Sequence, residues 1–130
     1  MFIGILDPGN NTFDYINAGH NPPLLCRGEG APEHLHGTGI MMGAFDGVTW
    51  EMRRVEMGAG ESLIVYTDGV TEAEREREFF GEGRLEKAVA GCGRKTSSQI
   101  VDDIKSAVTS FIQETPPGDD ITLLVLKHQI

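Results

Sequence analysis

The stretch Ser62-Leu63-Ile64-Val65-Tyr66-Thr67 constrains this chain most tightly. Its apolar core does not alternate, and it lies between the turn signals Gly58-Ala59-Gly60-Glu61 and Asp68-Gly69. A short continuous apolar run of this kind reads as a central strand covered on both faces.

Other strands are expected ahead of it. Met1 to Leu6 is apolar and ends at Asp7-Pro8-Gly9-Asn10-Asn11, a dense turn signal. Thr12 to Ala18 then alternates, with Phe13, Tyr15 and Asn17 on one face, so the two segments predict a hairpin. Leu24 to Arg27 and Pro32 to His36, separated by Gly28-Glu29-Gly30, are two further candidate strands. Gly37 to Gly47 is glycine-rich and aperiodic, which suits a loop tucked against the sheet. Val48, Trp50 and Met52 alternate with Thr49, Glu51 and Arg53, predicting a half-buried strand over 48–56.

After Thr67 the period changes. Glu72 to Glu82 alternates acids and arginines around Phe79-Phe80, a pattern expected of a solvated loop or helix face. Gly83 to Ala90 reads as a short helix with Leu85, Ala88 and Val89 on one side. Thr96 with Gln99 is a capping-box signature. Ile100, Val101, Ile104, Val108, Phe111 and Ile112 follow at helical spacing, predicting a helix that ends near Glu114. Pro116-Pro117-Gly118 stops it, and Ile121 to Lys127 predicts a final buried strand. Strands, then helices, then a closing strand make an α+β domain with helices over one face of a largely antiparallel sheet.

At 130 residues the chain is expected to form one domain, 1–130. Its 11 basic and 20 acidic residues leave a net charge of −9. Such a surface repels nucleic-acid backbones and anionic membrane surfaces, so neither is an expected partner. No apolar run approaches the roughly 20 residues that cross a bilayer, and no signal-peptide pattern opens the chain, so a soluble chain is expected. Cys26 and Cys92 stand without a CxxC or a His/Cys cluster. They read as small apolar residues of a protein in a reducing cytoplasm rather than as a zinc site or a disulfide framework.

Acidic residues sit at the ends of two apolar strands. Asp68 directly follows Leu63 to Thr67, and Asp119 and Asp120 directly precede Ile121 to Leu126. If these strands are antiparallel neighbours, the carboxylates converge. Converged carboxylates call for a compensating cation, and oxygen-only donors favour Mg²⁺ or Mn²⁺. The same residues also fit ordinary turn chemistry, with Asp119 or Asp120 capping a turn and Asp68 in an Asp-Gly turn. Glu72 suits either a hydrogen bond to a metal-bound water or a solvated loop position. His20, between Gly19 and Asn21-Pro22-Pro23, is expected to fix a turn, and His34, His36 and His128 form no ligand-spaced pair. A haloacid-dehalogenase-like nucleophile would need an Asp where Tyr66 stands.

Four ordered motifs add a resemblance. Asn17-Ala18-Gly19-His20-Asn21-Pro22-Pro23-Leu24-Leu25, Tyr66-Thr67-Asp68-Gly69-Val70-Thr71-Glu72-Ala73, Phe80-Gly81 and Gly118-Asp119-Asp120-Ile121-Thr122-Leu123-Leu124 resemble the SpoIIE/RsbU group of bacterial phosphatases, relatives of the type 2C (PPM) serine/threonine phosphatases. The resemblance implies a mostly antiparallel β-sandwich with flanking helices. It also implies a two-metal Mn²⁺ or Mg²⁺ centre whose activated water hydrolyses phosphoserine or phosphothreonine. Matched by motif, Asp68 and Asp119 are the implied catalytic metal ligands, Gly69 permits close backbone approach, and Asp120 is a neighbour that shapes the site.

Family domains are longer at the front, where a Gly-Asp and an Asp-Val-x-Gly-His-Gly motif supply further acids, and Met1 begins after them. Gly37 to Ala44 also departs from the relatives' Leu-Pro-Leu-Gly-like run. The expectation is therefore an N-terminally truncated, C-terminal portion of the domain that holds at most one ion, weakly, and is weakly active or inactive alone. Its implied substrate is a phosphorylated protein such as an anti-sigma-factor antagonist. Open sheet edges imply a homo-oligomer. The alternative is a catalytically silent acidic regulatory or binding module.

Overall fold

A computed structural model describes residues 1–129. Two antiparallel sheets face one another, and helices lie on the outer side of one of them. The first sheet has the order β1-β2-β5, with β1 (Phe2–Asp7), β2 (Thr12–Asn17) and β5 (Arg53–Glu56). The second has the order β4-β3-β6-β9, with β3 (Leu24–Cys26), β4 (Glu33–His34), β6 (Ser62–Tyr66) and β9 (Leu123–Lys127). The helices are α1 (Asp68–Thr71), α2 (Gly81–Ala88) and α3 (Ser97–Ile112), with a 3₁₀ turn at Cys92–Arg94.

The expected first hairpin forms with Phe2 opposite Asn17 and Asp7 opposite Thr12. Asp7 makes its turn by accepting the backbone N–H groups of Gly9 (3.0 Å) and Asn10 (3.1 Å) and the Asn10 side-chain amide (2.7 Å). Phe13, Tyr15 and Asn17 are buried in alternation, as the period-two pattern predicts.

Strand β6 is central, paired with β3 on one side and β9 on the other. Successive side chains enter different cores. Leu63 joins Phe13, Tyr15, Leu25, Leu35 and Met57 between the sheets, while Ile64 and Tyr66 join the core beneath α2 and α3. Both faces are covered, which explains the run without alternation.

Helix α3 starts at the predicted capping box. Thr96 Oγ1 accepts the Gln99 N–H at 3.2 Å, and Gln99 Oε1 accepts the Thr96 N–H at 2.9 Å. Its buried face is Ile100, Ile104, Val108, Phe111 and Ile112. The helix ends at Ile112, slightly before Glu114. Cys26 and Cys92 are buried in that same core, where burial and each other's thiol push the Cys26 thiol well above the ordinary range.

Four expectations are corrected. Residues 48–52 do not form strand, because their polar groups pair with the preceding loop. The Trp50 indole N–H donates to the Ile40 carbonyl (2.7 Å) and the Glu51 N–H to the Thr38 carbonyl (3.4 Å), so β5 begins only at Arg53. The 37–47 loop folds back on Ala18 at Gly39, yet leaves Ile40, Met41, Met42 and Phe45 exposed rather than tucked in. The charged run of 72–82 contains a hairpin, β7 (Glu74–Arg75) with β8 (Glu78–Phe79), and α2 begins at Gly81 rather than Gly83. Finally, β9 is an edge strand starting at Leu123; α3 covers one of its faces and Leu124 and Leu126 are exposed on the other.

Candidate functional site

The antiparallel pairing of β6 and β9 brings the end of one beside the start of the other, with Tyr66 opposite Leu123. One further rung follows. The Thr67 N–H donates to the Thr122 carbonyl (3.1 Å), and the Thr122 N–H donates to Thr67 Oγ1 (3.0 Å). Thr67 is still extended, and the chain then turns into α1 with Asp68 at its first position. Val70, fully buried, pins that turn to the core.

Asp68 is exposed, as are Asp119 and Asp120. What joins the two acidic segments is Gly69. A Cβ there would lie 2.2 Å from the Asp120 carbonyl oxygen, a distance no side chain tolerates, so only glycine permits this backbone contact. Asp119 Oδ1 accepts the N–H of Asp120 at 2.7 Å, which shapes the loop ahead of β9.

A cavity of about 350 Å³ opens beside this contact, lined by Gly69, Glu72, Glu74, Phe79, Asp119 and Ile121 among others. Glu72 and Asp119, singled out in the sequence, thus share one recess, while Asp68 and Asp120 lie outside its lining. Glu74 and Phe79 reach it through the β7–β8 hairpin. Sequence reasoning passed over them because their charged neighbours mask the period-two alternation; the Phe79-Phe80 pair inside the run was the available signal. Arg84 holds the hairpin base through the Phe79 and Phe80 carbonyls (3.0 Å each) and the Glu78 carboxylate (2.6 Å), with its guanidinium 4.5 Å from the centre of the Phe111 ring. That guanidinium holds the Glu78 carboxyl below its usual range.

Among the described residues no three His, Cys, Asp or Glu side chains are grouped so as to hold a metal ion. The expected turn role of His20 agrees with its contacts: its N–H donates to Asn17 Oδ1 (2.9 Å) and its Nδ1 lies 2.7 Å from the Asn21 carbonyl. His34 Nε2 lies 2.8 Å from Glu86, and His128 Nδ1 lies 2.9 Å from the Met57 carbonyl. A second cavity, of about 370 Å³ between the sheets, has no acidic lining residue. No helix among the described residues is long and apolar enough to cross a membrane.

Comparison with known proteins places this geometry in a family. The description of the Stage II sporulation protein E (SpoIIE) family matches residues 1–129. Protein IcfG of Synechocystis is 38% identical over 128 residues, covering 97% of this chain and 20% of that protein. The phosphoserine phosphatase RsbU of Bacillus subtilis is 23% identical over 131 residues, covering the whole chain and 39% of that protein. The chain therefore spans well under half the length of these relatives. Among solved structures, the RsbU and RsbW domains of a Mycobacterium tuberculosis protein superpose with a TM-score of 0.75 at 25% identity, over 98% of this chain and 35% of that one. The SiaA-PP2C domain of Pseudomonas aeruginosa shares the fold, with a TM-score of 0.79 at 19% identity over 97% of this chain and 50% of that one. With the ordered motifs, the facing antiparallel sheets and a family match running almost end to end, this chain belongs to the SpoIIE family and forms a region of SpoIIE/RsbU-type PPM phosphatase fold.

Proposed function

We propose that this chain, residues 1–130, is the C-terminal part of a metal-dependent protein serine/threonine phosphatase domain. Asp68 and Asp119 are the carboxylates it contributes to a Mn²⁺ or Mg²⁺ centre. The observation that carries this reading is the Gly69–Asp120 contact, which holds the two acid-bearing segments together at the ends of paired strands. Glu72 lines the recess beside Asp119, where it suits a hydrogen bond to a water or to substrate. Asp120 acts through its backbone, whose carbonyl meets Gly69 and whose N–H fixes Asp119.

Carboxylate oxygens are the donors that Mg²⁺ and Mn²⁺ prefer, but these ions take roughly six oxygen ligands and affinity rises with the number of charged ones. No third acidic side chain joins the set among the described residues, so the residues present do not complete a metal centre. This chain alone is expected to hold at most one ion, weakly, and to hydrolyse little or nothing.

The relative named a phosphoserine phosphatase supports a phosphorylated protein as substrate, and the solved structure joining RsbU and RsbW domains supports a setting in partner-switching control of sigma factors. In that reading the substrate is an anti-sigma-factor antagonist and the compartment is the cytoplasm.

Mn²⁺-dependent phosphate release from a phosphoserine protein tests the proposal. The expected rate is far below that of a full-length RsbU-type enzyme, and comparable turnover would overturn the incomplete site. A second reading, a silent acidic binding module, draws support from Asp119 Oδ1 already being spent on its neighbour's N–H. Calorimetric titration with Mn²⁺ separates the two. A heat signal lost in Asp68→Asn supports a remnant metal site, whereas no heat at millimolar metal favours the silent module.

A further inference from the structure

Cys26 and Cys92 are far apart in sequence, yet the fold sets them side by side. Cys26 is the last residue of β3, and Cys92 is the first residue of the 3₁₀ turn between α2 and α3. Each is 2% exposed in the core beneath the helices, and the Cys26 thiol is hydrogen-bonded to that of Cys92. The backbones that carry them meet as well. A Cβ on Gly93 would lie 2.9 Å from the Gly28 Cα, so only glycine there permits the approach, and the Cys92 thiol donates to the Gly28 carbonyl at 3.9 Å. The pair stands apart from the acidic recess: Cys26 is opposite Ser62, at the other end of β6 from Asp68.

The two thiols differ in what holds them. Cys26 is fixed in a strand paired on both sides, with β4 and with β6. Cys92 rides on a 3₁₀ turn of three residues, preceded by Gly91 at φ 71° and ending at the exposed Arg94. So short a turn opens at lower cost than a helix or a paired strand, and its opening brings Cys92 out while Cys26 stays in the sheet. The Lys127 ammonium donates to the carbonyls of Cys92 (3.3 Å), Gly93 (3.1 Å) and Lys95 (2.7 Å), so the turn closes back on the same partners. Burial and the neighbouring thiol keep the proton on Cys26, which leaves Cys92 as the sulfur that attacks first.

We propose that Cys26 and Cys92 are a reversible oxidation site, closed by a small-molecule disulfide such as oxidised glutathione into an intramolecular disulfide that clamps the α2–α3 connection to β3. Cys92 gives its proton to solvent and its thiolate attacks one glutathione sulfur. The new S–S bond forms as the bond within the glutathione disulfide breaks, and one glutathione thiolate leaves. When the turn recloses, the Cys26 sulfur loses its proton and attacks the Cys92 sulfur of this mixed disulfide, releasing the second glutathione. Two protein thiols are then oxidised, and one glutathione disulfide is reduced to two thiols. The bond closes the long loop of residues 26–92, which restricts the unfolded chain and so favours the folded one.

Incubating the full chain with oxidised glutathione under native conditions, then alkylating it in denaturant and mapping the peptides by mass spectrometry, tests this. The expected product is a monomer that has lost two hydrogens, retains no glutathione, carries a Cys26–Cys92 bond and is restored by dithiothreitol. Its melting temperature is expected to rise by about ten degrees on oxidation. Cys26→Ser, which removes the second attack, should keep glutathione on Cys92; if that variant does not fold, the map of the parent chain decides alone. Glutathione retained on either cysteine of the parent chain shows that the two sulfurs do not meet and overturns the proposal. So does a disulfide between two copies, and so do thiols that oxidise only in urea. A melting temperature that the bond leaves unchanged or lowers overturns the clamp equally.

Discussion

Tyr66 is 1% exposed, and its hydroxyl meets no hydrogen-bond partner among the described residues. Burial, with the carboxylates of Glu82 and Glu86 facing it, pushes the phenol up to about 12. A raised value keeps the proton on the folded form while the unfolded chain ionises near pH 10. Stability is therefore intact below pH 10 and falls as the pH climbs from there toward 12. Tyr66→Phe should remove that alkaline loss. It should also stabilise the protein by about 1 kcal/mol near neutrality, because an unsatisfied buried hydroxyl disappears without a change of shape. Urea midpoints measured between neutral and alkaline pH check both effects; a destabilised variant would mean that the hydroxyl has a partner. Nothing in the motif Tyr66-Thr67-Asp68-Gly69 announces this, since whether a hydroxyl is satisfied depends on which helix packs over it. Gly69 was more legible: an Asp-Gly pair after a buried strand signals a tight backbone, and the Asp120 carbonyl is what makes it tight.

Among the elements, the β7–β8 hairpin departs most from local preference. Its two turn residues, Glu76 and Arg77, sit at φ of 52° and 67°, the left-handed region that asparagine and glycine favour. The strain is tolerated because both strands are anchored from outside. Arg84 clamps the β8 end, and Arg75 lies 5.3 Å from the Phe111 ring centre. Replacing Glu76-Arg77 with Asn-Gly should relieve the turn and raise stability by about 1 kcal/mol, read as a higher thermal midpoint. An unchanged midpoint would indicate that the turn is not strained. Charge alternation concealed this element, whereas α3 was readable from its capping box and apolar spacing, both of which act within one helix. The 48–52 segment shows the converse: its alternation resembled a strand, but its polar groups were taken up by a loop ten residues away.

At the scale of the molecule, 31 charged side chains of net charge −9 cover a two-sheet core with helices on one side. The ion pairs exposed on both sides, such as Arg84 with Glu78 and Arg94 with Glu29, are individually worth little. General self-repulsion should therefore outweigh them. Raising ionic strength from about 10 mM to about 150 mM, which shortens the screening length from roughly 30 Å to 8 Å, is expected to raise the melting temperature by a few degrees. A fall would show that the local pairs matter more than the net charge.

The sequence by itself determined the α+β class, the hairpins marked by turn residues, the capped helix, the doubly covered strand and the ordered motifs of the family. Each depends on periodicity or on contacts a few residues apart. Tertiary structure alone decided that Gly69 meets Asp120, that Glu72 and Asp119 share a recess with Phe79, and that β9 is an edge. These follow from which strands become neighbours, and strand pairing is settled by long-range packing rather than by any local preference.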